Sequence, residues 1–424
     1  MDRPNEIAEQ KQNNLAALQE QADRVNAMSI SEWHALFERC TVFLKESTRN
    51  SQYLQDALTA MNEMNVTLTP VRRQLYELHM YFFLLVQLTQ KPQDAPSSNM
   101  HFIGFHTHSA AAEVKRVIEV FFEKELPLAD EPECRPLVME TLAYLRGKML
   151  NERDTERYFW DPYDRLCTNW LKPNLSEESF FLEELQLLQS AEIELGSRIS
   201  RFPWLLAQSR MHFYLSRDRD AWSCLADLNA SFPISDSDVL YFYDRLQNDR
   251  QWQRLAEWLT ETALLFEGRG YHQLIKYARC WEAVVLQMPT AEARMLETLA
   301  LLLPHSSRIY EEKLLAYNKW QQWMDYQLSA GSEPLQFRAP VFVPFEKHAP
   351  ELLLPYYHQA VERSILLKNR DGYKAAVKLL KRLARLYKKM KRETSWESFI
   401  TELASRNSRL RALQEELRKG KLIG

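Results

Sequence analysis

Glycine is scarce in this chain, 9 among 424 residues. Sheet proteins need glycine-rich turns and runs of Val, Ile and Thr, and both are rare here, so the composition excludes a mainly stranded fold. The few glycines never gather into a phosphate cradle. Gly268-Arg269-Gly270 has neither the lysine nor the spacing of a P-loop and is expected as a turn between two helices. Cysteine is scarce too. The five, at 40, 134, 167, 224 and 280, are odd in number and far apart, a pattern that reads as reduced thiols in a cytoplasmic protein without a signal peptide. Long apolar runs are missing. The longest, such as residues 80–86, are too short to cross a bilayer, so no membrane partner is expected.

Recognisable reaction chemistry is missing as well. There is no Cys-x-x-Cys, no Cys-x-His, no His-Glu-x-x-His and no serine or cysteine nucleophile in a familiar setting. His101, His106 and His108 form a small histidine group, but a zinc site needs further ligands from elsewhere, so solvated loop histidines are the expectation. Asp161 and Asp164 flank Pro162-Tyr163. Without a cleft to separate their pKa values they read as turn residues rather than an acid/base pair. The chain is therefore read as a non-enzymatic protein with no catalytic residue, no metal and no cofactor.

What is present points to helices. Hydrophobic residues make up 46% of the chain and aromatics 12%, including eleven Trp. Large side chains of this kind fill the gaps between stacked helical hairpins. At helical spacing these Trp and Tyr are expected in the core rather than as base-stacking platforms. Residues 1–90 read as an N-terminal helical region that starts with a thin-striped lead-in helix over 5–27. Ser29 and Glu32 form a capping box ahead of Trp33, Leu36, Phe37 and Cys40. Thr69-Pro70 opens a helix that is apolar nearly all round. Residues 91–108, rich in Pro, Ser and Asn, are expected as a loop or insertion. Residues 331–350 hold four prolines and the strand-like piece Val341-Phe342-Val343, and are expected as an extended connector.

Between these breaks, residues 109–330 carry a degenerate repeat. A leucine, a charged Asp-containing turn and an aromatic recur at Leu215…Trp222, at Leu246…Trp252 and, beyond the connector, at Leu367…Tyr373. Trp222 and Trp252 stand 30 residues apart, close to the tetratricopeptide period. The expected fold is all-α: a tetratricopeptide-like helical hairpin solenoid closed by a basic helical C-terminal cap over 351–424.

The net charge of −3 hides an asymmetry. Residues 368–424 hold 17 basic and 6 acidic side chains, net +11, against −14 for the rest. Within 368–392 there are eleven Lys or Arg and one acid, Asp371. Tyr373, Ala376, Val377, Leu380, Leu383, Ala384, Tyr387 and Met390 form an apolar stripe at helical spacing. Lys374, Lys378, Lys381, Arg385, Lys388 and Arg392 repeat on the opposite side. One face is built to pack and the other to attract anions. Six aligned cations suit nucleic-acid phosphates in a salt-sensitive, sequence-tolerant way. The rival reading is a pure protein-interaction module whose basic helix docks on its own acidic body or on an acidic partner.

Five stretches carry a family resemblance. They are Tyr373-Lys-Ala-Ala-Val-Lys-Leu-Leu-Lys-Arg-Leu, Leu386-Tyr-Lys-Lys, Trp396-Glu-Ser-Phe, Leu410-Arg-Ala-Leu-Gln-Glu-Glu-Leu-Arg-Lys-Gly and, near the start, Ser29-Ile-Ser-Glu-Trp-His-Ala-Leu-Phe. The chain resembles the helical region of bacterial SWIM zinc finger family proteins. That family is named for a Cys-x-Cys…Cys-x-His zinc module, a spacing found nowhere in this sequence. The resemblance implies a DNA-related or protein-binding role, in some bacteria alongside a Swi/Snf-type helicase. The missing module implies that no zinc takes part through these residues.

Overall fold

The computed structural model describes residues 24–64, 66–89, 104–152, 157–174 and 178–424, and among them every regular element is helical. The chain divides into two compact units, Met1–Ile234 and Ser235–Gly424. The expected lead-in helix over 5–27 lies outside the described residues except at its end, where Val25–Ala27 forms a single 3-10 turn. The strand-like Val341-Phe342-Val343 is not extended. It joins a 3-10 turn, Ala339–Phe342, to a short helix, Val343–His348. Pro340 and Pro344 sit in the first turns of these two elements, where a fixed φ and a missing N–H suit a helix start, and Phe342 and Phe345 are buried beneath them.

In the first unit, α1 (Ile30–Cys40) begins at Ser29 with both arms of the capping box formed. After α2 (Ser51–Asn62) comes α3 (Pro70–Thr89), which buries twelve residues and packs against α1, α2 and α4 (Phe105–Glu123). The start of α3 is tied down from far away. Thr69 Oγ1 and the Val71 N–H both donate to the Glu131 carboxylate, which takes up donors that the helix itself leaves free. The expected loop over 91–108 ends sooner than its composition suggests, because α4 already begins at Phe105. Beyond α5 (Arg135–Asn151), Asp161 and Asp164 lie on a short helix, α6 (Trp160–Arg165), and not in a turn. This helix widens into a π turn, Leu166–Leu171, just ahead of Pro173, whose ring nitrogen has no hydrogen to donate. The unit continues with α7 (Glu178–Leu195), α8 (Arg201–Tyr214) and α9 (Asp218–Ser231), and α8 has twelve of its fourteen residues buried.

The second unit begins with α10 (Asp236–Asn248), α11 (Trp252–Glu261), α12 (Tyr271–Gln287), α13 (Glu292–Leu301), α14 (Ser307–Ala316) and α15 (Trp320–Ser329). Along this run each helix packs on the next, and α10 on α12, α11 on α13 and α12 on α14 as well. Each recurrent turn seen in the sequence puts one residue, Ser216, Arg250 or Lys368, in the left-handed region, and the first two of them share a further bond with the turn at Asn318. Arg250 and Asn318 take left-handed φ values of 54° and 57° at helix C-termini. The N–H one residue further on, of Gln251 or Lys319, then bonds back five residues to Leu246 or Leu314 O, each at 2.8 Å. This is the Schellman arrangement, and Ser216 in the first unit and Lys391 near the end repeat it. Glycine is the usual residue for this conformation. Here polar side chains hold it, which is how a helical chain with so many turns manages with nine glycines.

After the short helix α16 (Val343–His348) the unit closes with α17 (Leu353–Leu366), α18 (Arg370–Lys389), α19 (Glu393–Arg406) and α20 (Arg411–Lys419). Helix α18 is the hub of this group and packs on the other three.

Candidate nucleic-acid interface

The basic stretch folds as its two stripes require. The Asn369 side chain accepts the Gly372 N–H at 2.7 Å and caps α18. Tyr373, Ala376, Val377, Leu380 and Leu383 are buried, while Ala384, Tyr387 and Met390 are half-buried. Leu379 and Leu386, left out of the predicted stripe, are buried too. At 100° per residue they widen the packed arc to about half of the helix, because three helices cover α18 rather than one.

Close packing sets the start of α18. A Cβ placed on Gly372 would lie 2.5 Å from Ser364 O of α17. Gly372→Ala is therefore expected to force α17 and α18 apart and cost about 1–3 kcal/mol. Chemical denaturation of the full chain would show this as an earlier transition, and an unchanged midpoint would refute the close contact.

The predicted cations sit as follows. Lys374, Lys378, Lys381, Arg385 and Lys388 are all exposed and, by helical geometry, lie within an arc of about 80° along roughly 21 Å of α18. Arg392 is exposed but is not on this helix. It follows left-handed Lys391 and precedes α19, so it continues the charge past the helix end. Lys374 meets Asp371 at 3.5 Å. Among the described residues no ion pair joins Lys378, Lys381, Arg385 or Lys388 to an acid. Arg370, which sequence reasoning left out, lies on the same side by helical angle, but Glu416 holds it at 3.2 Å and Glu415 at 3.9 Å. Arg382 is turned toward the packed side, its guanidinium 6.0 Å from the Phe342 ring centre. Arg370 missed its place because its partners come from α20, more than forty residues away.

The other candidates lead elsewhere. His101 lies outside the described residues. His106 and His108 are exposed on α4, and two positions along a helix point to different sides, so the pair does not converge on one ion. Asp161 pairs with Lys115 at 3.7 Å and Asp164 with Arg210 at 3.2 Å, so these two acids belong to separate ion pairs. Glu131, Glu133 and Cys134 have ligand atoms close enough for a cation. Glu131, however, is already committed to capping α3, with Cys134 Sγ donating to it at 3.5 Å. Of the eleven Trp, seven are buried, including Trp33, Trp170, Trp258, Trp281 and Trp323. The remaining four, Trp222, Trp252, Trp320 and Trp396, are half-buried, so the expected core place holds for seven of the eleven.

Over 421 residues the chain is 24% identical to the uncharacterized protein YwqB of Bacillus subtilis (strain 168), a match that takes in 94% of this chain and 74% of that protein. No family model matches the chain. No solved structure matches it.

Proposed function

We propose that this protein is a non-enzymatic helical scaffold of the tetratricopeptide-like, solenoid kind, which binds a protein partner and holds nucleic acid through α18. Two features support the architecture. The helices from α10 to α15 pack in succession, and the left-handed turns at Ser216 and Arg250 are 34 positions apart, with Asn318 a further 68 along. Thirty-four residues is the tetratricopeptide period. The nucleic-acid reading rests on one observation: a line of exposed cations on which only Lys374 has an acidic neighbour. Surfaces without a charged partner normally mix their signs. A cytoplasmic place and work beside a Swi/Snf-type helicase are part of the proposal, carried by the SWIM-family resemblance.

The test is binding of labelled DNA to the full chain across a salt series, with Lys378→Glu/Lys381→Glu/Arg385→Glu as the comparison. Wild type should bind, with an affinity that falls steeply as salt rises, and the triple variant should lose at least about tenfold at low salt. The reversed side chains are exposed, so the helical circular dichroism of the variant should match wild type. Absence of wild-type binding at low salt would remove nucleic acid from the proposal. The second reading, an acidic protein partner, has its own support in Arg370, which donates to the Glu416 carboxylate and lies 3.9 Å from that of Glu415. On that reading the triple variant loses an acidic polypeptide and DNA is not bound at all.

A further inference from the structure

We infer that the occupant of α18 is a double-stranded nucleic acid gripped by its phosphates, with its bases unread, and centred on the C-terminal half of the helix. This rests on the nucleic-acid reading above and narrows it in two ways.

The first concerns the form of the ligand. Proteins that hold single strands combine a positive track with aromatic faces on which unpaired bases stack. The exposed side of α18 has no such face. Its aromatics are Tyr373, which is buried, and Tyr387, which is half-buried with its hydroxyl 2.9 Å from His358 Nε2. Base edges are read by Asn and Gln at adenine, by Arg and Lys at guanine, and by Ser and Thr at either, and of these only Lys and Arg stand on the exposed line. Residues 370–389 contain no Asn, Gln, Ser or Thr. Arg385 is the one arginine of the exposed line. The remaining chemistry is point charge against phosphate. Duplex DNA presents twice the charge per unit length of one strand and releases more counterion for each phosphate neutralised.

The second concerns position. The acids that form ion pairs with the track gather at one end, while Glu393 follows Arg392 at the other. Asp371 meets Lys374, and Glu415 and Glu416 from α20 meet Arg370. Toward the other end Lys381, Arg385, Lys388 and Lys389 are followed by Lys391 and Arg392, all exposed and none with an ion-pair partner among the described residues. The cations without an ion-pair partner among the described residues are therefore concentrated toward the C-terminal half of the helix. Partial negative charge at the helix C-terminus also favours cations there.

The experiment measures fluorescence anisotropy of the full chain with a labelled 20-base-pair duplex, with one of its strands alone, and with a duplex of unrelated sequence. The duplex should bind at least about fivefold more tightly than the single strand, and the two duplexes should agree within about twofold. Lys388→Glu should weaken duplex binding several-fold more than Lys374→Glu, because Lys374 is already partly neutralised. A single strand bound as tightly as the duplex would overturn the inference, as would tenfold discrimination between duplexes or equal loss at positions 374 and 388. In each of those cases the nucleic-acid reading itself would stand. If no nucleic acid binds at low salt, both fall together, and poly-glutamate run in parallel would show whether the face takes carboxylates instead.

Discussion

Replacing Arg146 with alanine is expected to destabilise the first unit by about 3–5 kcal/mol, the cost of stranding a buried charge. The charge is Glu184 on α7, whose side chain is 1% exposed. Burial pushes its carboxyl pKa up, while the Arg146 guanidinium and the Tyr163 hydroxyl act to bring it back down. Arg146 Nη1 lies 2.5 Å from Oε2, and Tyr163 Oη donates to Oε1 at 2.8 Å. Without the arginine the carboxylate must either ionise with one neutral donor or take up a proton in place of an ion pair. Both routes cost free energy. The double variant Arg146→Met/Glu184→Leu removes both charges together and should recover most of the loss, because burying an ion pair yields little net stability. Urea titration of the full chain, followed through the transition of the first unit, would measure the difference. A loss below about 1 kcal/mol for Arg146→Ala would mean that water reaches Glu184.

That pair also marks where sequence reasoning stops. Arg146 and Glu184 are 38 residues apart and lie on different helices, so no local spacing joins them. The same holds for Glu131, which reaches back 62 residues to Thr69, and for the acids of α20 that neutralise Arg370. By contrast, features set within a few residues were legible. The Ser29/Glu32 capping box, the start of α3 at Pro70, the apolar stripe of α18 and the exposed line of cations all follow from i, i+3 and i+4 relations. Two local readings failed, for physical reasons. Asp161 and Asp164 carry turn-like composition, but Trp160 and Tyr163 are buried and draw the segment into helix α6. Val341 to Val343 looked like a strand by residue type, yet three residues with no partner strand gain less than the helix start that Pro340 and Pro344 favour.

A histidine pair, His79 buried and His34 partly so, is expected to make the first unit acid-sensitive. His34 Nε2 lies 3.0 Å from His79 Nδ1, and His79 Nε2 lies 3.0 Å from Thr141 Oγ1. Thr141 has a single hydroxyl hydrogen and gives it to Leu137 O at 2.9 Å. His79 Nε2 must therefore donate to Thr141, its Nδ1 must accept, and His34 Nε2 must donate to it. In this arrangement His79 is neutral, and a proton on its Nδ1 would oblige His34 to move its own proton from Nε2 to Nδ1. Burial, with Lys148 nearby, lowers His34 from the ordinary 6.5 to about 4, and burial together with His34 holds His79 well below 6.5. Because the folded values lie below the unfolded ones, the unfolded chain binds more protons over this range. The stabilisation is therefore fully present above pH 6.5 and is lost as pH falls toward the folded values. His34 alone accounts for roughly 3 kcal/mol of this, and His79 adds to it. His34→Phe/His79→Gln should flatten the dependence. In melting experiments from pH 7.5 down to 4.5 the wild-type advantage over the double variant should shrink steadily. Parallel curves would mean that protons reach both rings in the folded protein at little cost, and the bonded chain from His34 to Leu137 could not then be what keeps them neutral.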